Sequence, residues 1–214
     1  AWPASRISIG TEGDLLYLLF PRADGRARLY LLHDIAQRGR FAGPDRETAF
    51  LDAYRFGCIP DSDMFPAAKP AGPCAFYPMN DSWTDEAPYA PGVVLVGDAA
   101  GWNDPIIGQG LSIAMRDVRI VTDLLGDSTT TPDFAPYAAE RRERMRRLRI
   151  AAGVVTDLAA TFTPAGQARR RAYNAVFRSD PVLGGPRLAP QLGPDNVPAE
   201  AFTQENVARI RALA

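Results

Sequence analysis

The sequence predicts a mixed α/β chain of the α+β kind. An antiparallel sheet comes first, then one parallel strand-loop-helix unit, then a helical tail. Three observations carry this. Residues 15–20 and 29–33 are Leu- and Tyr-rich runs separated by an Asp24-Gly25 turn signal. Residues 93–96 are a short, uncharged, largely β-branched run ending at Gly97, which reads as a buried parallel strand. From residue 134 onward long helical patterns dominate.

In order, residues 7–20 and 28–33 read as strands. Thr11-Glu12-Gly13-Asp14 marks an earlier turn, so three or more strands are expected. Pro44 or Asp45 can start a helix through Phe50, Leu51, Tyr54 and Phe56, stopped by Gly57. Prolines at 60, 66, 70 and 73 mark a connection. Residues 75–79 read as one more strand, ended by the turn-like residues 80–82, with 83–91 a polar lead. After the strand at 93–96 come a loop with Pro105, Gly108 and Gly110, and a helix through Leu111, Ile113, Val118, Val121 and Leu125 closed by Gly126. A loop over 127–132 precedes a helix over 134–162, whose centre at 140–149 is rich in arginine. Pro164 breaks it, and a shorter helix follows over 165–177. Residues 179–198, rich in Gly and Pro, read as irregular. Thr203 caps a last helix containing 206–213. The expected division is 1–90 (sheet and linker), 91–133 (strand, loop and helix) and 134–214 (helical region). The strand at 93–96 needs partner strands, from another chain or a further N-terminal portion.

Composition excludes several classes. The chain has 214 residues, 46% hydrophobic and 23% charged, with a net charge of −1. That balance gives no field for nucleic acid or an anionic membrane. No run approaches the roughly 18–20 apolar residues of a membrane span, and residues 1–6 do not read as a signal peptide. Two cysteines, Cys58 and Cys74, build neither a disulfide scaffold nor a zinc site, so a cytoplasmic, reducing compartment is expected. One histidine, His33, leaves no histidine cluster for a metal, and no metal site is expected. Neither a GxxxxGK[ST] loop nor a GxGxxG opening is present.

The chemistry concentrates in residues 92–125. Asp98, after Gly97 at the strand's end, is placed to accept hydrogen bonds from sugar-like hydroxyls, or else it is a turn aspartate that satisfies nearby N–H groups. Gly108 and Gly110 let backbone approach a flat ligand, or merely serve a tight turn. The N–H groups of Gly110, Leu111 and Ser112 are the unpaired first-turn donors of a helix and favour a developing anion.

Taken together, G-D-A-A-x₄-P-x₂-G-Q-G between a strand and a helix resembles the second FAD motif of the class A flavoprotein monooxygenases, the para-hydroxybenzoate hydroxylase-like aromatic hydroxylases. Tyr137 to Arg142 resembles, more weakly, the helix that follows in that family. The resemblance implies the C-terminal half of such an FAD-binding fold. It implies that Asp98 contacts the ribitol, that Pro105 lies beside the isoalloxazine, and that Gly97, Gly108, Gln109, Gly110, Leu111 and Ser112 complete the cofactor site. The departures are Gly101, where the family often has His, Ser112, where it often has Asn, and the lack of the N-terminal GxGxxG unit. The implied activity is monooxygenation of an aromatic or other electron-rich small molecule with NAD(P)H and O₂ through a flavin C4a-hydroperoxide. The partner implied is an N-terminal FAD-binding portion or a partner chain. The alternatives are a flavin-dependent halogenase, a geranylgeranyl-reductase-like oxidoreductase of the same fold, or a non-catalytic half-fold that works with a partner. The Arg116-Asp117 pair favours the hydroxylase side.

Other conspicuous residues have two readings each. Tyr17, Tyr30 and Tyr77 line a substrate pocket or are sheet core, and Trp102 lies near the flavin or its entrance. The arginine-rich helix reads as a solvated face packed on the FAD domain, in preference to a phosphate or nucleic-acid site, because Glu140 and Glu143 interleave at pairing distance. No side chain is singled out as a catalytic acid or base.

Overall fold

Two turn signals shape the first strands. A computed structural model describes residues 2–79, 81–84, 86–126 and 132–213, in a mixed α/β arrangement of helices and two small antiparallel sheets. Strands β1 (Ser8–Glu12), β2 (Leu15–Pro21) and β3 (Ala27–Leu32) form one sheet in the order β1-β2-β3. Gly13 at φ 59° turns β1 into β2, and Asp24 and Gly25 at φ 61° and 68° turn β2 into β3. Positive φ at such positions matches the right-handed twist of the flanking strands.

The chain divides into two units, Ala1–Pro78 with Ala159–Gly166, and Met79–Leu158 with Gln167–Ala214. In the first, the period of two sends Leu15, Tyr17 and Leu19 to one face of β2. There they pack with Trp2, Tyr54, Phe56, Ile59 and Phe65. The opposite face carries Ile9, Leu18 and Tyr30 in one cross-strand row. Helix α1 (Arg46–Asp52) is shorter than the sequence predicts, because Tyr54 and Phe56 leave it to enter the core. The Tyr54 hydroxyl shares its one proton between the carbonyl oxygens of Leu18 and Tyr30, at 2.9 and 2.7 Å, and accepts the Tyr30 N–H at 2.9 Å. Burial pushes its pKa well above the usual tyrosine range. Tyr54→Phe is therefore expected to lower stability by about 1–3 kcal/mol, since it strips a partner from buried backbone groups. A urea titration of the variant measures it.

Residues 75–79, predicted as a strand, pair with no described strand, and Phe76, Tyr77 and Met79 are exposed. An extended run without a ladder partner has no hydrogen bonds to hold it as a strand. Asn80 of the predicted turn, and the predicted loop over 127–132 apart from Pro132, lie outside the described residues.

In the second unit, β4 (Tyr89–Ala90) and β5 (Val93–Val94) pair antiparallel across Gly92 at φ 79°. This corrects the expectation of a buried parallel strand over 93–96. Val93 and Leu95 are exposed, and no described strand lies parallel to them. Parallel pairing needs a crossover from another strand of the same sheet, so the run takes the backbone nearest to it. Helix α2 (Gly110–Gly126) follows, then α3 (Ala135–Ala159), α4 (Pro164–Val176), α5 (Pro181–Leu192) and α6 (Gln204–Arg211). Helix α5 corrects the irregular reading of 179–198. Asp180 caps it by accepting from the N–H groups of Val182 and Leu183, and Pro181 sits in the first turn, where no N–H is needed. Its glycines serve close packing: a Cβ on Gly185 would lie 2.5 Å from that of Ala201. Val154 and Leu158 of α3 pack with Tyr173, Phe177, Leu183, Val207 and Ile210 in the helical core. Thr203 caps α6 by accepting the Asn206 N–H.

Candidate functional site

The turn that carries Asp98 is built by glycines and held from behind by two helices. Residues Gly97–Ala100 form one short 3₁₀ turn. Gly97 has φ 56°, and a Cβ there would lie 3.1 Å from that of Ala114. Gly101 has φ 105°, and its Cβ would fall 2.7 Å from the Ser82 carbonyl oxygen. That closeness follows from a short antiparallel bridge in which Ser82 and Trp102 exchange two backbone hydrogen bonds, at 2.8 and 3.0 Å. Gly101→Ala combines strained φ with a backbone clash, so it is expected to destabilise the protein by roughly 1–3 kcal/mol. Calorimetric melting checks this.

Behind the turn lies an ion cluster. Asp117 of α2 is 0% exposed. Its carboxylate accepts the Gly97 N–H at 2.9 Å, Arg141 at 2.7 Å and Arg144 at 2.5 Å. Arg141 also donates to the carbonyls of Gly97 and Gly101 at 2.9 and 3.0 Å. Tyr137, one turn earlier on α3, donates to the Leu95 carbonyl at 2.7 Å. Burial first, and the adjacent Asp117 second, push the Tyr137 pKa up to about 12, so its hydroxyl stays a donor. Burial opposes the charge on Arg144, but its bonds to Glu140 and Asp117 outweigh that and raise its pKa. The arginine-rich helix is thus solvated on one side only. Arg141 and Arg144 are buried on the packed side, so they do not belong to the expected solvated face.

Asp117, Arg141 and Arg144 were absent from the predicted site residues, yet two signals point to them. Ile113, Asp117 and Val121 share one buried row of α2 at i, i+4, i+8, so a carboxylate sits where the helix turns inward. Tyr137, Arg141, Arg144 and Leu148 do the same on α3. Charges in an apolar row are buried only when paired.

The predicted residues fall as follows. The Asp98 side chain is exposed, provides no cap for its own turn, and accepts no hydrogen bond among the described residues. Pro105 opens a 3₁₀ turn, Pro105–Ile107, capped by Asp104, whose Oδ1 accepts the Ile106 N–H at 2.9 Å. Gly108 has φ 64°, and no atom lies within 4 Å of where its Cβ would stand. The Gln109 amide nitrogen donates to the Pro190 carbonyl at 2.9 Å, which fixes the entry to α2. Ile113 N–H bonds to the Gln109 carbonyl at 2.9 Å, so Gly110, Leu111 and Ser112 hold the first-turn donors, and all three residues are exposed. Trp102 is exposed and tied by its backbone to Ser82. In the sheet unit, Tyr17 is core: it is buried and stacked on Phe56 at 4.7 Å. Tyr30, opposite Leu18, faces the other way, so the two do not share a wall. Tyr77 is 74% exposed.

An uncommitted carboxylate, open space at a left-handed glycine and the first turn of a 17-residue helix fit a ligand that pairs hydroxyls with a partly anionic planar edge. No group of three or more potential metal ligands, and no helix long and apolar enough to cross a membrane, occurs among the described residues.

Comparison with known proteins narrows the class. The family model described as squalene epoxidase matches residues 69–162, the stretch that contains the turn and its helices. The 3-demethoxyubiquinol 3-hydroxylase of Escherichia coli (strain K12) is 39% identical over 59 residues. That alignment covers 27% of this chain and 15% of the hydroxylase, so the chain spans only a small part of that relative. Both matches point to oxidoreductases of the flavin-monooxygenase type in general and to no subclass within it.

Proposed function

We propose that the chain is part of an FAD-dependent monooxygenase that oxidises an aromatic or other electron-rich small molecule with NAD(P)H and O₂. The observation that carries this reading is the Asp98 carboxylate, exposed and without a hydrogen-bond partner among the described residues, on a turn held by Asp117 and Arg141. Asp98 would take the ribitol hydroxyls. Gly97, Pro105, Gly108 and Gln109 would shape the approach of the ring system, and the N–H groups of Gly110, Leu111 and Ser112 would face its pyrimidine edge. Bound FAD, reduced by NAD(P)H, supplies the activation of O₂. The chain's own contribution is placement and charge: a fixed carboxylate for hydroxyls, and first-turn donors for negative charge on the ring. Trp102, beside the turn, offers exposed aromatic surface to an apolar substrate. The likeness to a squalene epoxidase model and to a 3-demethoxyubiquinol 3-hydroxylase supports oxygen insertion over halogenation or alkene reduction.

One further observation favours a half-fold that works with more polypeptide. Leu111, Met115, Val118 and Leu125 form an exposed apolar row on α2, and Val93 and Leu95 are exposed in the segment before it. An N-terminal FAD-binding portion or a partner chain would cover them. The test is spectroscopic. Protein supplied with that portion should carry a flavin absorption band and show substrate-stimulated NAD(P)H oxidation. Material that never holds FAD overturns the proposal, whereas FAD without substrate-stimulated oxidation supports the reductase or binding reading instead.

A further inference from the structure

Asn103 lies five residues after Asp98 and two before Pro105, and its side chain is out of keeping with its surroundings. It is 9% exposed, and neither its Oδ1 nor its Nδ2 has a hydrogen-bond partner among the described residues. A buried polar atom left unbonded destabilises the fold. The other buried atoms in that condition belong to side chains that are otherwise bonded. Arg116 and Arg144 pair with carboxylates, and Asn206 donates to the carbonyls of Val182 and Ala201. Asn103 alone among them has both ends of its polar group open.

The loop cannot relieve this by shifting. On one side, Trp102 exchanges two backbone bonds with Ser82. On the other, the Asp104 N–H donates to Asp81 Oδ1 at 2.6 Å, and its carboxylate accepts from the Ile106 N–H at 2.9 Å and the Thr156 hydroxyl at 3.1 Å. Both neighbours are locked while the amide between them bonds nothing. A well-satisfied loop built around an unsatisfied amide is the pattern of a residue reserved for a ligand.

A carboxamide offers an acceptor oxygen beside a donor NH₂. Its complement is a planar edge with an N–H next to a C=O, as in an amide or a cyclic imide. We propose that Asn103 is a ligand-recognising residue whose amide takes up such an edge. Resting on the FAD reading above, that edge is the N3–H and adjacent carbonyl of the flavin pyrimidine ring. Asp98 and Asn103 then divide the cofactor between them, the one holding the hydroxyl chain and the other orienting the ring.

The test uses Asn103→Leu, close in size and without polar atoms, alongside wild type, each supplied with the N-terminal FAD-binding portion. FAD binding is followed by flavin fluorescence, melting is recorded without ligand, and an FAD analogue methylated at N3 serves as a second probe. The expected result is a ligand-free melting temperature equal to or above that of wild type, with FAD affinity weaker by about tenfold or more. The N3-methyl analogue should bind wild type correspondingly less well than FAD, and the two ligands should bind Asn103→Leu alike. A stable Asn103→Leu that binds FAD as wild type does overturns the inference and leaves the cofactor reading intact. Wild type that takes up no FAD overturns both. Should Asn103→Leu fail to fold, the comparison of FAD with its N3-methyl analogue on wild type decides alone: equal affinities overturn the inference.

Discussion

Replacement of Asp117 by alanine should lower the stability of the protein by about 3–5 kcal/mol, the range for breaking a buried ion pair from one side. The reason lies in what is left behind. Arg141 and Arg144 are almost fully buried, and both direct an N–H at this carboxylate. Without it, among the described residues, Arg144 retains Glu140, and Arg141 retains the carbonyls of Gly97 and Gly101. The Gly97 N–H, also buried, loses its acceptor. Urea midpoints at unchanged slope measure the loss. A variant within about 1 kcal/mol of wild type would show that the cluster does not hold the turn. Asp117→Ala with Arg141→Met and Arg144→Met together should recover much of the loss, because apolar replacement of a whole buried ion cluster is often tolerated.

Asp98→Ala should do the reverse. Its carboxylate is exposed and supports no hydrogen bond among the described residues, so melting should not change. On the reading proposed here, FAD affinity should fall by about tenfold to a hundredfold, the equivalent of a charged hydrogen bond worth roughly 1.5–3 kcal/mol. Equilibrium dialysis against FAD, with the protein supplied with its N-terminal FAD-binding portion, measures it directly. Unchanged flavin retention removes the role assigned to Asp98. The two aspartates, 19 residues apart, thus separate a scaffold effect from a ligand effect.

Local signals suffice where neighbouring residues set the structure. The Asp24-Gly25 turn, the strand alternation around Leu15–Pro21, the Thr203 cap and the long helix Ala135–Ala159 each depend on nearby residues. Tertiary context overrode the sequence elsewhere. Gly184 and Gly185 look like breakers, yet they let α5 approach Phe177 and Ala201 closely enough to be held as a helix. Residues 93–96 have the composition of a central parallel strand, but strand direction belongs to the partner and not to the run itself. In the candidate site, the turn and the helix start were visible as a motif. The Asp117 cluster was not, because a motif names the residues that face the ligand. Those that face backward show only as charges in a buried row. Tyr17 and Tyr30 show the same limit: composition made them equivalent, and strand parity put them on opposite faces.

The clamp on the turn has a consequence for the order in which the protein is made. Arg141, which grips the carbonyls of Gly97 and Gly101, is translated 40 residues after Gly101. During synthesis the turn therefore leaves the ribosome well before the helix that fixes its shape. Any ligand that depends on that shape must wait until α3 has emerged and docked. On the proposed reading, cofactor loading at this turn would belong to the late stage of biogenesis, and a nascent chain ending between residues 126 and 141 would hold the whole motif without the clamp that shapes it.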